Sequence, residues 1–257
     1  MRSSRGSRWA VGLALAVTAC AGSDADGSRR LNVYAASSLT EAFAELEADF
    51  EAAHPETDVV VTYAGSQVLR LQIEQGARAD VFASANPEHM DALVEGGYVS
   101  GARVFAHNEL VVIVPAANPA GIHSFADLAG AERLVIGTPN VPVGRYARAV
   151  VSRAAEVLGP AFEASVLGAV VSEEANVRLA RAKVELGEAD AAIVYVTDAA
   201  DSDRIRTVPI PQELNVRAEY LIGVGEGPRK DLAERWVERV LAAEGRAVLA
   251  RHGFLLP

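Results

Sequence analysis

Cysteine is almost absent from this sequence. Cys20 is the single one in 257 residues, so no internal disulfide and no cysteine-based metal cluster can form. Basic charge is also short. Against 24 Lys and Arg stand 34 Asp and Glu, a net charge of −10, without the basic stripe that nucleic-acid binders normally show. A small anion is not excluded, because local dipoles can hold one whatever the global charge. The five histidines (His54, His89, His107, His123, His252) form no H-x-x-x-H or similar pair, which argues against metal ligation by side chains. A G-x-S-x-G nucleophile elbow is missing, since Gly65-Ser66-Gln67 lacks the flanking glycines. Gly225-Glu226-Gly227 is too short for a phosphate loop. What is present is a globular composition, half apolar and 23% charged. It contains no internal repeat of fixed period.

The cysteine sits in a telling place. Residues 1–20 carry Arg2, Arg5 and Arg8, an apolar run from Trp9 to Val17, and then Thr18-Ala19-Cys20. That order is the charged region, apolar region and small-residue cleavage site of an export signal. The run is too short to span a bilayer. Val17-Thr18-Ala19-Cys20 resembles the bacterial lipoprotein processing box, which implies lipidation at Cys20, followed by a polar tether over 21–30. Cleavage removes the three arginines and no acid, taking the charge from −10 to −13.

Beyond the tether, strand and helix patterns alternate. Apolar strand-like runs lie at 31–36, 58–64, 79–84, 109–115, 133–138, 191–196 and 218–225. Leu39, Phe43, Leu46 and Phe50 step by four, three and four, one face of a helix over 39–53, which Pro55 ends. A shorter helix over 68–76 closes at Gly76, a C-cap. Residues 229–254 predict two amphipathic helices broken near Gly245. Such alternation with apolar strands implies an α/β fold with mostly parallel sheets flanked by helices. The Pro/Gly-containing link after ELVVIVP, and the return through 207–225, predict two lobes. Lobe 1 combines 31–113 with 209–257, lobe 2 is inserted as 114–208, and a ligand cleft lies between them.

Four segments share one design: a strand ends, and a helix opens with small or polar residues. They are Ala36-Ser37-Ser38-Leu39, Gly65-Ser66-Gln67, Pro139 to Tyr146, and Glu174 to Arg178. Ser38-Leu39-Thr40-Glu41 fits a capping box; Ser37 is left as a small residue lining the turn. Each helix start offers unpaired N–H groups and roughly +0.5 of a charge. Four of them converging would offset about two negative charges, a match for a tetrahedral dianion. Taken singly, each segment is explained as an ordinary cap.

Residues 35–93 resemble the N-terminal half of the bacterial periplasmic molybdate-binding proteins, solute-binding subunits of ABC-type importers. The matching motifs are Ala36-Ser37-Ser38-Leu39-Thr40, then Ser66, then Gln72-Ile73-Glu74-Gln75-Gly76-Ala77-Arg78-Ala79-Asp80-Val81-Phe82. VPVGRYA (141–147), EEANVRLA (173–180), AAIVYVTDAA (191–200) and Arg251-His252-Gly253-Phe254 follow in the family's order.

The resemblance implies a type II periplasmic-binding-protein fold and a molybdate pocket of Ser38, Ser66, Val143, Val177 and Tyr195. Both serines would give hydroxyl and backbone N–H bonds, both valines backbone N–H only, and Tyr195 its phenol. The family often has alanine where Val143 stands. Arg145 and Arg178, beside helix starts, are left open as pocket residues. The implied partners are molybdate or tungstate, a membrane ABC permease and the lipid anchor. A monomer is expected, with no cofactor, no nucleic acid and no catalysis. The other reading is a same-fold binder of sulfate, phosphate or a small organic acid. The paired tyrosines of ferric-ion binders are missing, because no two of the six tyrosines adjoin.

Overall fold

The computed structural model describes residues 30–200 and 202–257. The expected export signal over 1–20, with Cys20, and the expected tether up to residue 29 lie outside the described residues.

Along the chain come β1 (Arg30–Ala36), a 3₁₀ turn (Ser37–Leu39), α1 (Thr40–Ala53), β2 (Asp58–Ala64), α2 (Ser66–Glu74), β3 (Val81–Ser84), α3 (Pro87–Glu95) and β4 (Val99–Asn108). The middle holds β5 (Leu110–Pro115), β6 (Leu134–Gly137), α4 (Pro142–Leu158), α5 (Pro160–Gly168), β7 (Val170–Glu174), α6 (Val177–Glu185), β8 (Ala191–Tyr195), a 3₁₀ turn (Val196–Ala199) and β9 (Ile205–Pro209). The chain returns through β10 (Ala218–Gly225), α7 (Lys230–Leu241) and α8 (Ala243–Arg251).

Two five-stranded sheets result, ordered β2-β1-β3-β10-β4 and β7-β6-β8-β5-β9. In the first, β1 runs parallel to β2 and β3, while β10 is antiparallel to β3 and β4. The second repeats that plan, with β6 parallel to β7 and β8, and β5 antiparallel to β8 and β9. In each sheet four strands share one direction and one is reversed. The reversed strand is the one that arrives from the other lobe.

That exchange moves the first boundary. β5 pairs wholly within the second sheet, from Leu110 opposite Tyr195 to Ile113 opposite Ala192. The chain therefore changes lobes at Asn108-Glu109, ahead of the expected break between 113 and 114. The apolar run through Val114 marks a buried strand but not the sheet that buries it. The return leaves β9 at Pro209, opposite Val111.

The first lobe packs as its pattern predicts. Ala42, Phe43, Leu46 and Phe50 form the buried face of α1. Phe43 and Phe50 meet Trp236 of α7 edge-on, with ring centroids 5.9 and 5.3 Å apart, the favoured geometry for aromatic pairs. Gly76 takes φ 96°, and its N–H bonds to Ile73 O, so it closes α2 as expected. Gly245 does not break the last two helices. The break is at Ala242, whose extended backbone (φ −67°, ψ 166°) ends α7 and starts α8. Gly245 lies inside α8, where a Cβ would overlap the carbonyl oxygens of Arg239 and Val240.

Three strands, β4, β7 and β9, escape the sequence pattern. β4 carries Gly101 at φ 63° and irregular pairing to β10, so the glycines around it read as turns. β7 is an edge strand ending in Ser172, Glu173 and Glu174, a polar edge of the kind that discourages further pairing.

Candidate functional site

All four helix openings face one another across the cleft. One small pocket is lined from the first lobe by Ala36, Ser37, Ser38, Ala64, Gly65, Ser66 and Ala85. From the second lobe come Val141, Pro142, Val143, Asn176, Val177 and Tyr195. The five residues singled out in the sequence thus line a single pocket, together with Ser37. No lining residue is charged. Arg145 and Arg178 stay out: Arg145 pairs with Glu88, and Arg178 pairs with Glu41 and Asp198.

Local sequence leaves donors free at each opening. Asn176 caps α6 by accepting from Leu179 N at 3.1 Å, which leaves the N–H groups of Val177 and Arg178 ahead of the helical ladder. Pro142, at the first position of α4, has no N–H, so Val143 supplies the first one. Gly65 opens α2 with no side-chain cap. Gly144 lets α4 sit directly against the end of β6.

The expected capping box at Ser38 is not formed. Neither the 3₁₀ turn nor α1 has a side-chain cap. Glu41 is drawn across the cleft to Arg178 instead, and the Ser38 hydroxyl lies 2.8 Å from the Tyr220 hydroxyl. A tertiary partner has replaced the local one.

Hydroxyl polarity follows from the neighbours. Ser66 Oγ accepts the backbone N–H of Ala85 at 3.1 Å, so its own proton is free to donate. The Tyr195 hydroxyl is buried without a protein partner in hydrogen-bond geometry. Burial pushes its pKa well above the usual phenol value, so it keeps its proton. An unpaired buried donor costs about 1–3 kcal/mol until something accepts from it. The pocket is a set of donors awaiting an acceptor.

Side chains bridge the lobes around this pocket. Gln67 Nε2 donates to Ala175 O at 2.8 Å, and His89 Nε2 donates to Asn140 O at 2.9 Å. Arg178 Nε also donates to Ser37 O at 3.3 Å. The pocket is a small cavity of about 10 Å³, and a larger cavity of about 290 Å³ opens beside Ser38. The larger one is lined by Arg178, Arg181, Arg251 and His252, but each is already paired with an acid: Glu41, Glu185 or Glu45. Unsatisfied donors belong to the smaller pocket.

Asp198 lies behind the site, fully buried. Burial pushes its carboxyl up to about 7, against the pull of the Arg178 guanidinium 3.2 Å away, and Glu41 raises it further. Between about pH 4 and 7 the folded protein holds a proton that the unfolded chain has released. This group's contribution to stability therefore falls as pH rises through that window. Asp198→Asn is expected to equal the parent near pH 4 and to melt several degrees higher at pH 8, since each kcal/mol shifts Tm by about 2–4 °C. Thermal melts across that range check it; an Asn variant that melts lower at pH 8 would show that the Arg178 pairing outweighs burial.

Sequence reasoning missed Tyr220, Asn108 and Gln67. Gln67 stands in the second helix opening, but nothing local marks its bridge to Ala175 of the other lobe. Tyr220 and Asn108 lie in no helix-opening motif, and Tyr220 is 182 positions from Ser38.

Two lobes of one topology, joined by exchanged strands and closed over a pocket at four helix starts, define a two-lobed solute-binding protein. Residues 31–255 match the bacterial extracellular solute-binding protein family, and the chain belongs to it. It is 37% identical over 235 residues to the molybdate-binding protein ModA of Mycobacterium tuberculosis, covering 90% of this chain and 86% of that protein. With the molybdate-binding protein ModA of Escherichia coli it shares 30% identity, covering 93% of each. The periplasmic molybdate-binding protein of Azotobacter vinelandii superposes with a TM-score of 0.76 at 20% identity, covering 88% of this chain and 99% of that one. That last likeness concerns the fold.

Proposed function

We propose that this protein captures molybdate, and tungstate with it, outside the cytoplasm and delivers the anion to an ABC permease. The carrying observation is the chemistry of the pocket: hydroxyl and backbone donors from both lobes, a buried Tyr195 hydroxyl without a partner, and no charged lining residue. Names borne by relatives at 37% and 30% identity support the ligand. Ser38, Ser66 and Tyr195 hold the oxyanion by their hydroxyls, and Val143 and Val177 hold it by backbone N–H. No cofactor takes part and no covalent step occurs. The protein acts as a monomer, tethered by lipid at Cys20, which retention in the membrane fraction tests.

Calorimetric titration with molybdate, tungstate, sulfate and phosphate tests the ligand. Tight binding of molybdate and tungstate, with sulfate and phosphate far weaker, is expected. No heat with molybdate, or equal affinity for sulfate, sinks the reading.

Val177→Pro isolates one backbone donor. Proline is tolerated at the first position of a helix, and Asn176 already has the extended backbone (φ −160°, ψ 167°) that a following proline requires. The variant is expected to fold normally and to bind molybdate about tenfold to a hundredfold more weakly, the effect of losing one buried partner. Unchanged affinity in the same titration would place the anion away from α6.

A further inference from the structure

A pocket that must reject an anion bearing its own proton needs hydroxyls held as donors. A serine free to rotate can accept that proton. For Ser66 the backbone N–H of Ala85 settles the matter. Ser38 has no such backbone neighbour; its hydroxyl meets a second hydroxyl, Tyr220, where either atom can donate. The residues behind Tyr220 decide the direction.

Asn108 is the residue at which the chain leaves the first lobe. Its Oδ1 accepts the N–H of Glu109 at 3.0 Å, which assigns the amide orientation. Nδ2 therefore presents two protons. One goes to Thr197 Oγ1 in the second lobe at 2.8 Å, and the other points to Tyr220 Oη at 3.5 Å. Tyr220 Oη thus receives a donor from Asn108. Burial keeps the phenol protonated, so it must donate in turn, and Ser38 Oγ at 2.8 Å is the acceptor within reach. The reverse order would send the Tyr220 proton to the Tyr195 hydroxyl, which is outside hydrogen-bond geometry. With one lone pair engaged by Tyr220, Ser38 has its own proton left to turn toward the pocket.

We propose that Asn108 and Tyr220 form a directional chain behind Ser38 that fixes this serine as a donor, making Tyr220 a positioning residue for selection of fully deprotonated tetrahedral oxyanions. The inference rests on the oxyanion reading above and adds to it the origin of discrimination against hydrogen phosphate. The ligand's proton meets the Ser38 proton at the pocket wall, and an unmet buried donor is costly.

The test is a double-mutant cycle read by titration with molybdate and with phosphate near pH 7. Tyr220→Phe keeps the ring and removes the chain. It is expected to weaken molybdate binding about tenfold and to narrow the preference for molybdate over hydrogen phosphate. In a Ser38→Ala background the same change is expected to alter neither value, since Tyr220 acts through that hydroxyl. Asn108→Asp reads the chain independently. Its carboxylate only accepts, so it draws the Tyr220 proton and turns the Ser38 proton out of the pocket. Molybdate binding is expected to fall more in the Ser38 protein than in the Ser38→Ala background. Tyr220→Phe with parental affinity and selectivity overturns the inference. So does an equal loss with and without Ser38, which marks a structural role. Parental protein that binds no tetrahedral oxyanion defeats the functional reading itself.

Discussion

Ser66→Asp is expected to abolish oxyanion binding. Ser66 is almost wholly buried and opens α2 onto the pocket, so a carboxylate there shares the ligand's space. Two unit charges about 4 Å apart repel by about 4 kcal/mol at an effective dielectric of 20. A dianion roughly doubles that, which removes at least about a thousandfold of affinity. The carboxylate also occupies the donors itself. It can accept from the N–H of Ala85, as Ser66 Oγ does, and from the N–H groups at the start of α2. The variant is therefore expected to give no heat with molybdate while melting no lower than the anion-free parent. The second measurement separates a blocked site from a misfolded protein. Retained binding would place the anion elsewhere.

Gly144→Ala is the second large effect, and it acts through backbone position. A Cβ at Gly144 would overlap the carbonyl oxygens of Gly137 and Thr138, where α4 packs on the end of β6. Arg148 reinforces that contact by donating to Gly137 O at 2.8 Å and to Gly144 O at 3.0 Å. Relief requires the first turn of α4 to move away, and the Val143 N–H moves with it. Hydrogen bonds weaken steeply as distance and angle depart from ideal. Overpacking of this kind costs about 1–3 kcal/mol, or several degrees in Tm. Molybdate affinity is expected to fall about a hundredfold, because the displaced turn carries donors that act together. A variant with lowered Tm but parental affinity would show that α4 does not contribute to the pocket.

The parts legible in the sequence are those set by near neighbours. The spacing of Leu39, Phe43, Leu46 and Phe50 marked a helix face because 3.6-residue periodicity is local, and that face is buried. Gly76 closes a helix for a local reason too, its positive φ. The pocket residues were named through motif resemblance, and the structure brings Ser38, Ser66, Val143, Val177 and Tyr195 around one space. The failures share the opposite property. The capping box at Ser38 and Glu41 was sound by spacing, yet Tyr220 and Arg178 took both side chains. Gly245 looked like a helix breaker because the carbonyls of α7 that press on it belong to another helix. The lobe boundary was misplaced because β5 has the same apolar run whichever sheet receives it.

By itself, then, the sequence determined most of the alternation of strands and helices, the four segments in which a helix opens on the pocket and the neutral, donor-rich character of those segments. These depend on residue type, periodicity and backbone chemistry within a few positions. Tertiary structure alone decided which sheet takes each crossing strand, that Arg145 and Arg178 stay outside the pocket, and which way the Ser38 hydroxyl points. Those depend on partners such as Glu88, Glu41 and Tyr220. A hydrogen bond or ion pair is set by distance in space, and separation along the chain carries no record of it.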